Sequence, residues 1–168
     1  MLSRSITTAV DYDSIYVRRS NGTAFTLPYE DWTQGAFFGN HRTIFKDVTG
    51  DGLADAIAVD NDGVYVRAST GSSFGPHNNW KPGGYFGEIT TQFADVTGDG
   101  IPDAIAVDNA TIYVLISDGA GFPAPRQDWT GGVYFGERGT FFADITGDGL
   151  ADAIAVDHAT IYVRRAAP

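Results

Sequence analysis

The sequence predicts an all-β fold: a β-propeller of four-stranded antiparallel blades, with about 3.5–4 blade units in the chain. Three observations carry this. A nine-residue stretch, Asp47-Val-Thr-Gly-Asp-Gly-Leu-Ala-Asp55, returns as Asp95-Val-Thr-Gly-Asp-Gly-Ile-Pro-Asp103 and as Asp144-Ile-Thr-Gly-Asp-Gly-Leu-Ala-Asp152. The copies start 48 and 49 residues apart, a period in the range of propeller blades. The composition holds 11 Phe, 8 Tyr, 3 Trp and 21 Gly, which suits short strands joined by tight turns.

Taken in order, residues 1–44 match the later part of a repeat and form a partial blade lacking its inner strand. Ala9-Val-Asp11 aligns with Ala58-Val-Asp60, and Ser14 to Ser20 with Gly63 to Ser69. Residues 45–92 and 93–141 are complete blades, and 142–168 is a partial blade lacking its outer strand. In the second complete copy the inner strand is Gln92-Phe-Ala-Asp95, which runs into the acidic loop. Asp103-Ala-Ile-Ala-Val-Asp108 follows, short and apolar as a buried strand should be. Asn109-Ala-Thr111 turns into Ile112-Tyr-Val-Leu-Ile116, and Ser117-Asp-Gly-Ala-Gly121 makes a hairpin turn. The outer strand, Phe122 to about Trp129, carries Pro123 and Pro125; proline confines a strand to an edge. Nothing shows a helical period.

The incomplete ends leave three arrangements open. The chain closes as a small ring of incomplete blades, copies supply each other's missing strands, or the chain is a piece of a longer array. Unpaired edges favour self-association, with a dimer preferred.

Against 21 acidic residues stand 11 basic ones, a formal charge of −10. Such a field repels nucleic acid and anionic membranes. No apolar run is long enough for a membrane span, and the absence of cysteine excludes disulfides and thiolate chemistry. The start, Met1-Leu-Ser-Arg-Ser, lacks the apolar core of a signal peptide. Two alternatives follow: the chain is intracellular, or it is extracellular and a leader or larger parent protein lies outside this sequence. No nucleophile–base pair recurs in the repeats, so an enzyme is not expected.

Nine of the 21 acids lie in the three loops, which points to a hard cation. Calcium takes six to eight oxygen ligands in irregular geometry, whereas magnesium demands a stricter octahedron and softer metals want His or Cys. In the first loop Asp47, Asp51 and Asp55 supply carboxylates, Thr49 a hydroxyl or bridging water, and Leu53 its carbonyl. The same roles pass to Asp95, Thr97, Asp99, Ile101 and Asp103, and to Asp144, Thr146, Asp148, Leu150 and Asp152. Gly50 and Gly52 allow the tight turn. An EF-hand is excluded: its twelfth position, a bidentate Glu, is Ala58, Ala106 or Ala155 here.

The Asp-Val-Thr-Gly-Asp-Gly-x-x-Asp pattern, preceded by Tyr85-Phe-Gly87 or Tyr134-Phe-Gly136, resembles the FG-GAP repeat. That repeat occurs in integrin α-subunit propellers and in many secreted bacterial proteins, often as a VCBS-type repeat. The resemblance implies a β-propeller with Ca²⁺ between the first two strands of a blade, and an extracellular setting. Ala-Val-Asp stands where integrins have Gly-Ala-Pro, so integrin-like ligand binding does not carry over.

A second constellation precedes each inner strand: Trp32 to Gly39, Trp80 to Gly87 and Trp129 to Gly136. It looks like the repeats of a fungal seven-bladed lectin family that binds N-acetylglucosamine-type sugars between blades. The match is looser, because that family's Gly-Trp-Arg is absent and only His41 lies near its later His. The resemblance makes Trp32, Trp80, Tyr85, Trp129 and Tyr134 candidate sugar contacts; packing between blades is the competing role for such rings. His41, His77 and His158 fall at unrelated positions, which argues against shared zinc or catalytic work. Asp11, Asp60, Asp108 and Asp157 end the second strand of each copy and read as turn caps. The sequence thus predicts a non-enzymatic calcium-binding module that binds or scaffolds, with a carbohydrate-binding lectin as the alternative.

Overall fold

A computed structural model describes residues 13–166 of the chain. The strand expected around Ala9-Val-Asp11 lies outside them. Thirteen strands and no helix occur among the described residues.

The first sheet pairs β1 (Tyr16–Val17) with β2 (Glu30–Asp31). The next is a four-stranded antiparallel meander of β3 (Arg42–Lys46), β4 (Asp55–Val59), β5 (Gly63–Ser69) and β6 (Phe74–Pro82). A second meander follows: β7 (Thr90–Ala94), β8 (Asp103–Val107), β9 (Ile112–Leu115) and β10 (Gln127–Asp128). The last sheet has three strands, β11 (Gly139–Ala143), β12 (Asp152–Val156) and β13 (Ile161–Arg164). These are blades of a β-propeller, two of them four-stranded. The outer strand is the least regular, as its prolines require: β10 keeps two residues, and β6 pairs with β5 through register shifts.

The Asp-Ala-Ile-Ala-Val strand is buried along its whole length in β4 and β8, because both of its faces meet neighbours. One face presents Ile and Val to the following sheet, and the other presents Ala to the preceding one. Thus Val48, Ile57, Val64 and Val66 pack with Tyr85, Phe93, Ala104 and Leu115 of the next blade. Val96, Ile105, Ile112 and Val114 pack in the same way with Tyr134, Phe142 and Ala151. Ile15, Val17 and Trp32 of the first sheet meet Phe37, Ala56, Tyr65 and Phe74 of the second. The core is therefore a series of interfaces between blades, each of one type.

Polar ties reinforce the stack. Phe74 N donates to Trp32 O at 2.9 Å, and Ala151 N to Asp95 O at 2.8 Å, both from one blade to the next. On the inner strands Arg42 reaches Thr90 and Thr91, and the Gln92 amide donates to Thr140 O.

Candidate functional site

Each acidic loop joins the two inner strands of a blade, β3–β4, β7–β8 or β11–β12. Its first aspartate folds the loop around itself. Asp47 accepts Gly50 N and Gly52 N, each at 2.7 Å, and Asp95 and Asp144 do the same with Gly98 and Gly100 and with Gly147 and Gly149. Gly50 and Gly52 take φ of 78° and 85°, a region that disfavours other residues. The fifth-position aspartates accept the N–H two residues on: Asp51 from Leu53, Asp99 from Ile101 and Asp148 from Leu150.

The ninth-position aspartates lie deepest, with Asp55, Asp103 and Asp152 wholly buried. One oxygen of each accepts an N–H from the loop's second residue: Val48 at 3.0 Å, Val96 at 3.1 Å and Ile145 at 3.2 Å. The other accepts from the end of the third strand: Ser69 at 2.8 Å, Ser117 at 2.9 Å and Ala166 at 3.0 Å. A buried carboxylate thus pins the loop to the chain at the end of the third strand of its own blade. Its spacing of fourteen residues to Ser69, Ser117 and Ala166 in all three copies is a signal that sequence reading passed over.

The charge environment differs between positions. Burial raises the Asp47 carboxyl, but the N–H groups of Gly52, Gly50, Asp51 and Thr49 outweigh it and hold the group below its ordinary value. At Asp144 the Gly147 and Gly149 N–H groups lead in the same direction. Asp103 goes the other way. Burial dominates and lifts its carboxyl, against the N–H groups of Ser117 and Val96, and the charges of Asp99 and Asp95 add to the lift.

The donor set is oxygen only, which suits a hard cation. Thr49 Oγ1, at the third position of its loop, is buried without a hydrogen-bond partner, as a hydroxyl reserved for another ligand would be. Thr97 Oγ1 sits 3.4 Å from Asp95 and 3.3 Å from Asp103. Among the described residues, however, no three acidic or histidine side chains gather as a ready metal cluster. The residues fit calcium by chemistry and by the orphaned hydroxyl, while the ninth aspartate also serves the backbone.

The aromatic segments pack between blades. The Tyr85 hydroxyl lies 2.9 Å from Ala104 O and 2.8 Å from Tyr113 O, and its ring is buried. Tyr134 repeats this at 2.9 Å from Ala153 O and 3.0 Å from Tyr162 O. Burial pushes both phenols up. Trp32 meets Phe74 edge-on at 5.2 Å and lies under Arg19, while Trp80 meets Phe122 at 5.9 Å. Trp129 is more open: its Nε1 donates to Gln127, and it lines a cavity of about 110 Å³ with Ile112, Phe142 and Ala151. A larger cleft of about 470 Å³ opens at Phe37, Phe38, Asn40, Asp60, Asp62 and His77.

The FG-GAP-like repeat matches the sequence over residues 47–106 and 95–155, overlapping spans that take in all three acidic loops. The chain belongs to the FG-GAP-like repeat family. Among solved structures it resembles a lectin of Agrocybe aegerita, described for specific recognition of non-reducing terminal N-acetylglucosamine. The two share 26% identity and a TM-score of 0.69 over 90% of this chain and 43% of that one. It also shares its fold with part of the Tc holotoxin pore of Photorhabdus luminescens, at 21% identity and a TM-score of 0.70, over 92% of this chain and 8% of that one. This FG-GAP chain therefore spans under half the length of the lectin chain. No curated protein matches it.

The Phe-Gly pair of the FG-GAP repeat has a physical cause here. A Cβ on Gly87 would stand 2.3 Å from Thr90 O and 2.4 Å from Val107 N, and Gly39 and Gly136 are equally hemmed in. The next residue's N–H then binds the aspartate that ends the second strand: Asn40 to Asp60, Glu88 to Asp108 and Glu137 to Asp157. Asp60, Asp108 and Asp157, expected to cap the turn after the second strand, thus reach back 20 residues to this joint instead, and that turn closes through backbone bonds such as Asp108 N to Thr111 O; Asp11 lies outside the described residues.

The sequence reading missed a second recurring aspartate, beside the tryptophans. Asp31 accepts the Ser14 hydroxyl and the N–H groups of Thr33 and Gln34; Asp128 accepts the Thr111 hydroxyl and those of Thr130 and Gly131. The repeated Asp-Trp-Thr of 31–33 and 128–130 was its signal.

Proposed function

We propose that this FG-GAP chain is a non-enzymatic, calcium-binding propeller module that binds or scaffolds, belonging to a secreted bacterial protein. In each loop the carboxylates of positions one and five, the threonine hydroxyl and the carbonyl of position seven would hold the ion. The ninth aspartate would add a lone pair left free by its N–H bonds. Calcium, when bound, would neutralise carboxylates that otherwise repel. The orphaned Thr49 Oγ1 is the observation that carries the reading. Metal-stripped protein should melt several degrees lower than the same protein resupplied with calcium, because a ligand that binds only the folded state stabilises it. Identical melting curves across a calcium titration would end the proposal.

A second reading is a carbohydrate-binding lectin with sites between blades, and the likeness to the Agrocybe aegerita lectin favours it. Trp129 is the tryptophan with ring surface to offer, whereas Trp32, Trp80, Tyr85 and Tyr134 are engaged in packing. Binding on a glycan array carrying terminal N-acetylglucosamine, lost in Trp129→Ala with the fold intact, would support it. A blank array would leave Trp129 a packing residue.

A further inference from the structure

The geometry points to a head-to-tail interface between copies of this chain, formed by the β13 face of one copy and the β1–β2 face of the next. The evidence is a contrast between positions that match in the repeat. Val48 and Val96 are 1% and 5% exposed, but their counterpart in the last copy, Ile145, is 55% exposed. Val64 and Ile112 are 0% and 2% exposed, and their counterpart Ile161 is 63% exposed. Val66 and Val114 are each 1% exposed, against 41% for Val163. The last blade thus carries the same apolar face as the others, with no following blade on it among the described residues. An open apolar face of this kind marks an interaction site.

The opposite face lies at the other end of the molecule. Phe25 is 72% exposed, while its counterpart Phe74 is 8% exposed. On the same sheet Tyr16, the counterpart of Tyr65, meets the Tyr29 ring edge-on at 5.0 Å. What Phe74 and Tyr65 pack against is known within this chain: Ile15 and Val17 of the preceding sheet. Ile161 and Val163 are the counterparts of Ile15 and Val17. One end of the molecule therefore holds the Ile/Val half of an interface built twice within the fold, by Ile15 and Val17 against Tyr65 and Phe74 and by Val64 and Val66 against Tyr113 and Phe122, and the other end holds its aromatic half.

The occupant is a second copy of this chain, placing the β1–β2 face at Phe25 on Ile161 and Val163. Two different patches meet, so the contact is heterologous. Such contacts close into a ring when the rotation allows and otherwise grow as a filament. The inference rests on the blade packing and is independent of calcium or glycan binding.

Sedimentation of the full chain tests it. Wild type should sediment as an assembly of two or more 18.0 kDa chains. Ile161→Asp and Phe25→Asp should each weaken association by at least about tenfold, since each buries a charge at an apolar contact. Both sites are exposed in the single chain, so far-ultraviolet circular dichroism should stay unchanged. Mixing the two variants should restore pairing, because each keeps one intact half. A wild type that stays monomeric at high concentration overturns the proposal. So does association that survives both substitutions, or a mixture that fails to pair.

Discussion

The repeats nearly copy one another, so a residue that breaks the pattern serves as an internal mutant. Phe37 stands where the later copies have Tyr85 and Tyr134, whose hydroxyls join two carbonyls of their blade. Arg67 lies over the Phe37 ring at 5.1 Å, yet Arg164 covers Tyr134 in the same way at 5.0 Å, so the arginine does not exclude a phenol. Phe37→Tyr should stabilise the protein by about 1 kcal/mol, the ordinary net value of one hydrogen bond, read as a higher urea midpoint. Asp128 gives a pH test. The Thr111 hydroxyl, then the Gly131 and Thr130 N–H groups, hold its carboxyl below the ordinary value. Asp31 is lowered likewise, first by the Ser14 hydroxyl. A depressed folded value means the stabilisation is present above the unfolded value, roughly pH 4. It is lost as pH falls through the folded value. Wild type should therefore exceed Asp128→Asn in urea midpoint at pH 6, with the gap closing in acid. The middle copy has Asn79 at this place, a reason the pattern was hard to see from the sequence.

At the scale of the element, the second strand of each repeat was the most legible. Asp103-Ala-Ile-Ala-Val-Asp108 reads as buried and forms β8 over Asp103–Val107, since an unbroken apolar run between turns has few other uses. The outer strand was legible only as an edge. Its length was not, because Pro123 and Pro125 remove ladder donors and leave β10 with Gln127 and Asp128. The Phe-Gly joint was visible as a motif, but its reason was not, because close approach of Gly87 to Val107 depends on the fold bringing them together. Gly87→Ala should cost more than about 2 kcal/mol, the scale of an overpacked site. Gly132→Ala, which meets nothing within 4 Å, should cost far less. Chemical denaturation of the two variants makes the comparison.

For the molecule as a whole, a strong repeat made the architecture legible, because three copies of a loop at one period leave few folds to consider. The candidate site was legible in part. The aspartates announced a polar loop, but the sequence could not divide them into those that shape the loop and the one that pins it. That division depends on burial, which Asp55 and Asp103 acquire only when β5 and β9 fold back over them. The tryptophans read as a shared constellation, while the structure separates Trp129 from Trp32 and Trp80 by what lies on their rings.

The buried carboxylate also orders the chain in time. Ser69 and Ser117 amides are held by Asp55 and Asp103 inside four-stranded sheets, while Ala166 is held by Asp152 in a sheet of three. An amide locked in this way exchanges its hydrogen with solvent only when the sheet around it opens, and sheets with fewer neighbours open more often. In deuterated water the Ser69 and Ser117 amides should be among the last to exchange, and Ala166 much earlier. The three equivalent protons thus give a scale along the chain, on which the last blade unfastens first and the middle blades leave only with the whole molecule.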